Sequence, residues 1–240
     1  MDAVLLFSGQ GAQKVGMGKD LYDQYPVAKA LIEQADKALG ESLSAVMFEG
    51  PGEELTRTCN CQPALYVHGL ACLAVLKELV PSLNPVAAAG LSLGEFTAHA
   101  AAGTYSFEEG LRLVQKRGAF MEEACNATKG TMAAMIGGTD ENVIKLAQEC
   151  DVDVANFNCP GQTVVSGTEE GVAKAVAGAK AAGCKIAKKL NVAGAYHSRL
   201  MHSAMVKLAE ELKNISFGTP SMPVYCNYEA RVDRKSTRLN

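Results

Sequence analysis

The residues best suited to covalent chemistry lie in Gly90-Leu91-Ser92-Leu93-Gly94. A serine flanked by glycines, after the apolar run Val86-Ala87-Ala88-Ala89 and before the helical pattern Glu95 to Ala102, has the form of a nucleophile elbow. Glycines suit so tight a strand-to-helix turn because a side chain there would clash with neighbouring backbone. The Ser92 hydroxyl would then stand above the sheet edge, at a helix N-terminus whose N–H groups favour developing negative charge. A serine is a weak nucleophile at neutral pH and needs an adjacent base, for which histidine is the usual choice. The four histidines are His68, His99, His197 and His202. His68 and His99 fall on apolar helices and read as packed side chains. His202 is off the helical face that His197 would share, so the two do not read as a metal pair. His197, in Gly194-Ala195-Tyr196-His197-Ser198, taken alone fits a structural histidine better than a catalytic one.

Composition narrows the setting. The chain has 240 residues, 48% hydrophobic and 20% charged, enough for one large domain or a large and a small one with a real core. A formal net charge of −3 argues against a nucleic-acid partner, which needs a basic face. The eight cysteines (Cys59, Cys61, Cys72, Cys125, Cys150, Cys159, Cys184 and Cys226) contain no C-x-x-C pair. Cys59-Asn60-Cys61 has no histidine at zinc-ligand spacing, so no metal is expected there. Reduced thiols in a cytoplasmic protein are the expectation. The start, Met1-Asp2-Ala3-Val4-Leu5-Leu6-Phe7, lacks the basic segment of a signal peptide. The longest apolar stretch, Pro63 to Leu76, is interrupted by His68 and Gly69, and is expected to be a buried helix too short to span a bilayer. No membrane partner is expected.

The elements that position these residues can be taken in order. Ala3 to Ser8 reads as a buried strand feeding the loop Gly9-Gln10-Gly11-Ala12-Gln13. That loop lacks the Lys-Ser/Thr of a P-loop and the glycine spacing of a dinucleotide fingerprint. Helical segments are expected from about Lys19 to Gly40, broken near Pro26, and around Leu43 to Glu49, before the turn Gly50-Pro51-Gly52. Pro63 suits the first position of a helix running to about Leu79. After the elbow, Ser106-Phe107-Glu108-Glu109 is a capping box opening a helix through Arg117 to about Ala124. This strand–helix alternation predicts an α/β fold with a parallel sheet covered on both faces. From Thr131 the order becomes strand, helix capped by Thr139, hairpin around Pro160-Gly161, helix from Glu169 and strand from Cys184. That is the β-α-β-β-α-β order of a ferredoxin-like unit. The expected division is a discontinuous core of residues 1–126 and 194–240, with an inserted subdomain of residues 127–193. A helix from about Leu200 to Lys213 and a strand from Met222 to Cys226 would complete the core.

Three separated stretches, Phe7-Ser8-Gly9-Gln10-Gly11-Ala12-Gln13, Gly90-Leu91-Ser92-Leu93-Gly94-Glu95 and Gly194-Ala195-Tyr196-His197-Ser198, resemble the malonyl-CoA–acyl carrier protein transacylases of fatty acid synthesis. Lys116-Arg117-Gly118 and Asn156-Phe157-Asn158-Cys159-Pro160-Gly161-Gln162 fit the same pattern. The resemblance implies an α/β-hydrolase-like core carrying a ferredoxin-like subdomain. It implies Ser92 as nucleophile, His197 as general base, backbone N–H groups of Gln10 and Leu93 as oxyanion hole, and Arg117 as the grip on the malonyl carboxylate. Malonyl-CoA and acyl carrier protein, with its phosphopantetheine thiol, would be substrate and partner, with no further cofactor and a monomeric enzyme. From the residues alone, Arg117 could simply cap its helix or bridge to Glu122 or Glu123 on the surface, the lesser of the two readings. Asn158 could support the site or serve the hairpin turn. Lys185, Lys188 and Lys189 could meet phosphate or an acidic carrier, or line a solvated strand edge.

The chain departs from that family in places. Leu91 stands where a histidine is usual, and Tyr196 where phenylalanine is common, adding a hydroxyl beside His197. Past Asn227 the family continues into further elements, whereas Arg234-Lys235-Ser236-Thr237-Arg238-Leu239-Asn240 is basic and polar and reads as foreign sequence on a truncated gene. Alternative readings are a serine hydrolase or thioesterase, with Asp140, Asp151 or Asp153 as the orienting acid, and an inactive remnant binding only CoA or carrier protein. The truncation reading predicts an incompletely covered core. The purified chain should then aggregate or unfold at low denaturant, and a cooperative melt at high temperature would overturn it.

Overall fold

The computed structural model describes residues 1–232, so the tail from Arg234 lies outside the described residues. The fold is mixed α/β, with a three-stranded parallel sheet in the order β1-β2-β7 and a four-stranded antiparallel sheet in the order β4-β5-β3-β6. The elements in chain order are β1 (Asp2–Phe7), α1 (Lys19–Gln24), α2 (Pro26–Leu39), α3 (Leu43–Glu49), α4 (Gly52–Thr56), α5 (Thr58–Leu79), β2 (Asn84–Gly90), α6 (Leu93–Ala101) and α7 (Phe107–Ala127). Then come β3 (Gly130–Ile136), α8 (Asp140–Glu149), β4 (Asp153–Cys159), β5 (Gln162–Thr168), α9 (Glu169–Gly178), β6 (Ile186–Lys189), a 3-10 turn (Arg199–Met201), α10 (His202–Leu212) and β7 (Val224–Tyr225). The chain forms two compact units, one of Met1–Ala119 with the described part of Leu208–Asn240, the other of Phe120–Lys207.

In the first unit, Leu5, Ala88 and Val224 sit level across the parallel sheet and pack with Leu73 of α5 and Ala98 of α6. β1 and the sheet were expected to be covered on both faces; among the described residues they are covered on one. The two-residue strand period that sends Leu5 inward sends Val4 and Leu6 outward, where they are 56% and 78% exposed. The helix expected to start at Pro63 starts at Thr58 and carries Pro63 inside it. Packing overrides the proline here. Thr58, Cys61 and Gln62 are all buried, so the extra turn is held by tertiary contacts despite the missing N–H. At 22 residues, α5 is long and apolar enough to cross a membrane by length and composition, which the interrupted run had not suggested; 61% of its most apolar window is buried inside the fold, as in a core helix. The capping box forms as expected: Ser106 N and Oγ donate to Glu109 Oε2 at 3.0 and 2.7 Å, and Glu109 N donates to Ser106 Oγ at 3.2 Å.

The second unit is built on β3, paired with β5 on one side and β6 on the other. Its alternate residues serve two cores. Ala133 and Met135 pack with Val143 and Leu146 of α8 and with Val172 and Ala175 of α9. Met132 and Ala134 pack with Met121, Ala124, Tyr196, Met201 and Ala204. This second cluster explains why the compact unit runs from Phe120 to Lys207 whereas the sequence reading set its limits at 127 and 193. The last turns of α7 and the segment around Tyr196 bury their apolar side chains against β3. Thr139 and Thr168 cap α8 and α9 by accepting from Asn142 N and Gly171 N.

Replacing Ser106 by alanine removes the hydroxyl that accepts from Glu109 N and donates to Glu109 Oε2, leaving only the bond from the Ser106 backbone N–H. The expected result is a loss of about 1 kcal/mol, read as a lower urea midpoint with an unchanged slope.

Candidate active site

β2 ends at Gly90 and α6 begins at Leu93, so Ser92 occupies the turn between them with φ 51° and ψ −102°. A non-glycine residue there is strained by about 1–3 kcal/mol and persists only where surrounding contacts hold it. The glycines of the motif are steric necessities: a Cβ on Gly90 would lie 2.1 Å from the Gly94 carbonyl carbon, and one on Gly94 would lie 2.3 Å from Phe7 O. The elbow is thus pressed against the end of β1, and Leu91 N donates to Phe7 O at 3.2 Å. The Gln10 loop leaves the sheet at that end, as expected for the carboxyl edge of parallel strands. Leu93 N–H, the first of α6, has no hydrogen-bond partner among the described residues. Leu91, in place of the usual histidine, is half exposed and contributes its backbone to the turn, its carbonyl accepting from Gly94 N at 2.8 Å.

Arg117 neither caps α7 nor reaches a surface glutamate. It is 3% exposed; Nη2 donates to Ser92 Oγ at 3.0 Å and Nη1 donates to Gln62 Oε1 at 2.8 Å. Its guanidinium carbon stands 5.1 Å from the Phe96 ring centroid, a cation–π distance. Burial lowers its pKa to about 10, while the nearby Glu95 carboxylate raises it, so the group stays charged at neutral pH. Glu95 is itself buried, and its Oε2 accepts from Asn227 N at 2.9 Å. Asn227 also accepts from Ser92 N through Oδ1 at 2.6 Å and donates through Nδ2 to Gly90 O at 2.7 Å. The first unit therefore joins a strained serine, a buried cation and an available backbone N–H at the mouth of one helix. Such a set can hold an oxyanion and a carboxylate together.

His197 belongs to the second unit. It too has a left-handed backbone, with φ 56°, on a turn fixed by Ser198 Oγ donating to Ala195 O at 2.6 Å and accepting from Leu200 N at 3.2 Å. Tyr196 is buried in the cluster under β3, and its hydroxyl bonds Cys125. Two candidate orienting acids are occupied beside it: Asp151 and Asp153 pair with Arg199 at 2.9 and 3.4 Å. Asp140 accepts from Thr163 at 2.9 Å. His99 is a core residue bonded to Thr104, His68 is partly buried beside Cys72, and Asn158 is exposed on β4. Lys185, Lys188 and Lys189 are exposed along edge strand β6 or the residue before it, and Lys189 pairs with Glu169.

Sequence reasoning missed Gln62, Glu95 and Asn227. Glu95 carried a signal, a carboxylate in the first turn of a largely apolar helix. Asn227 carried a weaker one, an amide just past the end of a parallel strand. Gln62 offered none, because its burial depends on the extra turn of α5. Replacing Gln62 by leucine leaves a donor of the buried guanidinium without its acceptor. The expected loss is about 1–3 kcal/mol, measured by denaturant unfolding.

Comparison with known proteins places this geometry. The acyl transferase domain family matches residues 4–238. The malonyl CoA-acyl carrier protein transacylase of Bacillus subtilis is 45% identical over 95% of this chain and 73% of its own length. The structure of the corresponding protein from Coxiella burnetii superposes with a TM-score of 0.92 at 36% identity, covering 97% of this chain and 75% of that one. A malonyl-transacylase solved with a type II polyketide acyl-carrier protein gives 0.91 at 37% identity, covering 97% and 76%. With its buried arginine donating to an elbow serine, the chain belongs to the acyl transferase family, among the malonyl CoA-acyl carrier protein transacylases.

Proposed function

We propose that this protein transfers a malonyl group from malonyl-CoA to the phosphopantetheine thiol of an acyl carrier protein, through an ester on Ser92. The observation that carries the reading is the Arg117 hydrogen bond to Ser92 Oγ at 3.0 Å. A malonyl ester on that oxygen extends a carboxylate from its carbonyl by two carbon–carbon bonds, within the arginine's reach. A planar guanidinium can bind that carboxylate through two parallel hydrogen bonds, whereas an acetyl group leaves it without an anionic partner.

In this reading His197 takes the Ser92 proton as the hydroxyl attacks the thioester, and the CoA thiolate leaves with a proton. His197 then deprotonates the carrier thiol, which attacks the ester and returns Ser92. Leu93 and Gln10 N–H groups receive the negative charge of each tetrahedral intermediate. The available N–H of Leu93 supports its half of that assignment. Family membership supports the His197 and Gln10 roles. The first unit is read as an α/β-hydrolase-like core and the second as ferredoxin-like. The strand order β4-β5-β3-β6, with α8 and α9 as crossovers, supports the second assignment. The chemistry calls for no cofactor beyond the partner's phosphopantetheine, and the enzyme is read as a monomer. Eight free thiols support a reducing, cytoplasmic setting.

Labelled malonyl-CoA tests the reading by mass spectrometry of the intact protein. Ser92 should carry the label, Ser92→Ala should not, and the label should pass to added holo carrier protein. Release as free malonate instead would mean hydrolysis, and absence of label would overturn the acyl-enzyme. Arg117→Ala should cut malonyl labelling by about 10²–10³-fold while acetyl-CoA labelling falls far less. Equal losses for both acyl groups would remove Arg117 from selectivity.

A further inference from the structure

We infer that Asn227 is a positioning residue for the nucleophile, a side-chain clamp that holds the Ser92 turn in its reactive shape; the inference rests on Ser92 being the acylated residue. β7 runs beside β2 with Ala88 level with Val224 and Ala89 level with Tyr225. Continuing that register brings Asn227 alongside the elbow. The chain is pinned there as it turns back, with Cys226 N donating to Arg231 O at 3.0 Å and Tyr225 bridging to Val232.

The Asn227 amide meets the elbow on both sides of Leu91. Its Oδ1 accepts from Ser92 N at 2.6 Å, and its Nδ2 donates to Gly90 O at 2.7 Å. Ser92 N lies on the peptide plane that would turn if Ser92 relaxed from φ 51° toward an ordinary conformation, and Gly90 O anchors the plane before it. Holding them fixes the direction of the Cα–Cβ bond and keeps Oγ 3.0 Å from Arg117 Nη2. The clamp also occupies the N–H of Ser92 itself. Oxyanion donation from this turn is thereby left to Leu93 N–H, whose place at the start of α6 follows from the Ser92 dihedrals.

A third bond extends the effect to the cation. Asn227 N donates to Glu95 Oε2 at 2.9 Å, fixing the carboxylate whose charge acts on Arg117. One residue from the far end of the first unit thus sets the serine backbone and the counter-charge of the arginine. Neither oxygen nor nitrogen of its side chain need touch the acyl group, so its effect falls on the rate of acylation and leaves substrate affinity alone.

The experiment compares wild type, Asn227→Ala and Asn227→Asp in single-turnover acylation by malonyl-CoA, and in labelling by a fluorophosphonate that reports serine reactivity without any malonyl group. Asn227→Ala should slow both labels by about 10²-fold with half-saturating malonyl-CoA changed less than about twofold. Asn227→Asp keeps the shape and the acceptor for Ser92 N but sets a carboxylate oxygen against Gly90 O, and should be no faster than Asn227→Ala. Wild-type rates in Asn227→Ala, an effect confined to half-saturation, or an aspartate variant that keeps wild-type rates would each overturn the clamp. A wild type that takes the fluorophosphonate but not malonyl would sink the malonyl reading alone, and the fluorophosphonate rates would still decide the clamp. Ser92 inert to both reagents would overturn it as well.

Discussion

A positive charge buried beside Ser92 is the constraint on which the first unit depends. Removing a guanidinium from water is costly unless its donors and its charge are answered locally. Here a different part of the chain supplies each answer: Gln62 from α5, Glu95 and Phe96 from α6, and Ser92 from the elbow. The requirement explains features with no local cause. α5 carries an additional turn through a proline, which brings Gln62 into the interior. α6 buries a carboxylate in a helix otherwise made for the core.

The elbow is the second place where a local cost is accepted. Ser92 adopts a backbone conformation that an isolated peptide avoids, and the glycines around it sacrifice side-chain packing to let β1, β2 and α6 converge. What results is a hydroxyl and a helix N-terminal N–H set by rigid elements on either side of one residue. The proposed ester and its oxyanion would need that relation to stay fixed through the reaction. The second unit treats His197 similarly. Its positive φ is sustained by hydrogen bonds from Ser198, by the buried Tyr196 and by the Arg199 ion pairs. Tyr196 directs its hydroxyl to Cys125, so the departure from phenylalanine is accommodated by packing.

Much of this was legible in the residues because the signals were local. The elbow, the capping box at Ser106, the caps at Thr139 and Thr168 and the strand–helix order each depend on neighbours a few positions apart, and short-range sterics and hydrogen bonding decide them. The family motifs singled out Ser92, Arg117 and His197 for the same reason. Other readings failed where distant parts of the chain intervene. The apolar run of β1 suggested burial on both sides, yet apolar character cannot say whether another layer covers the second face. Pro63 suggested a helix start, and propensity lost to the packing of Thr58 and Cys61.

The sequence by itself determined which residues could react and where the chain must turn around them, since backbone sterics at Gly90-Leu91-Ser92-Leu93-Gly94 leave few alternatives. Only the tertiary structure decided what Arg117 does. Its residue type is equally at home on a surface, and its role comes from Gln62, Glu95 and Ser92, brought to it from positions far away in the chain. The same holds for Asn227, more than a hundred residues from the serine whose backbone it holds. A buried charge and a strained turn are satisfied by long-range hydrogen bonds, and those pairings exist only once the chain has folded.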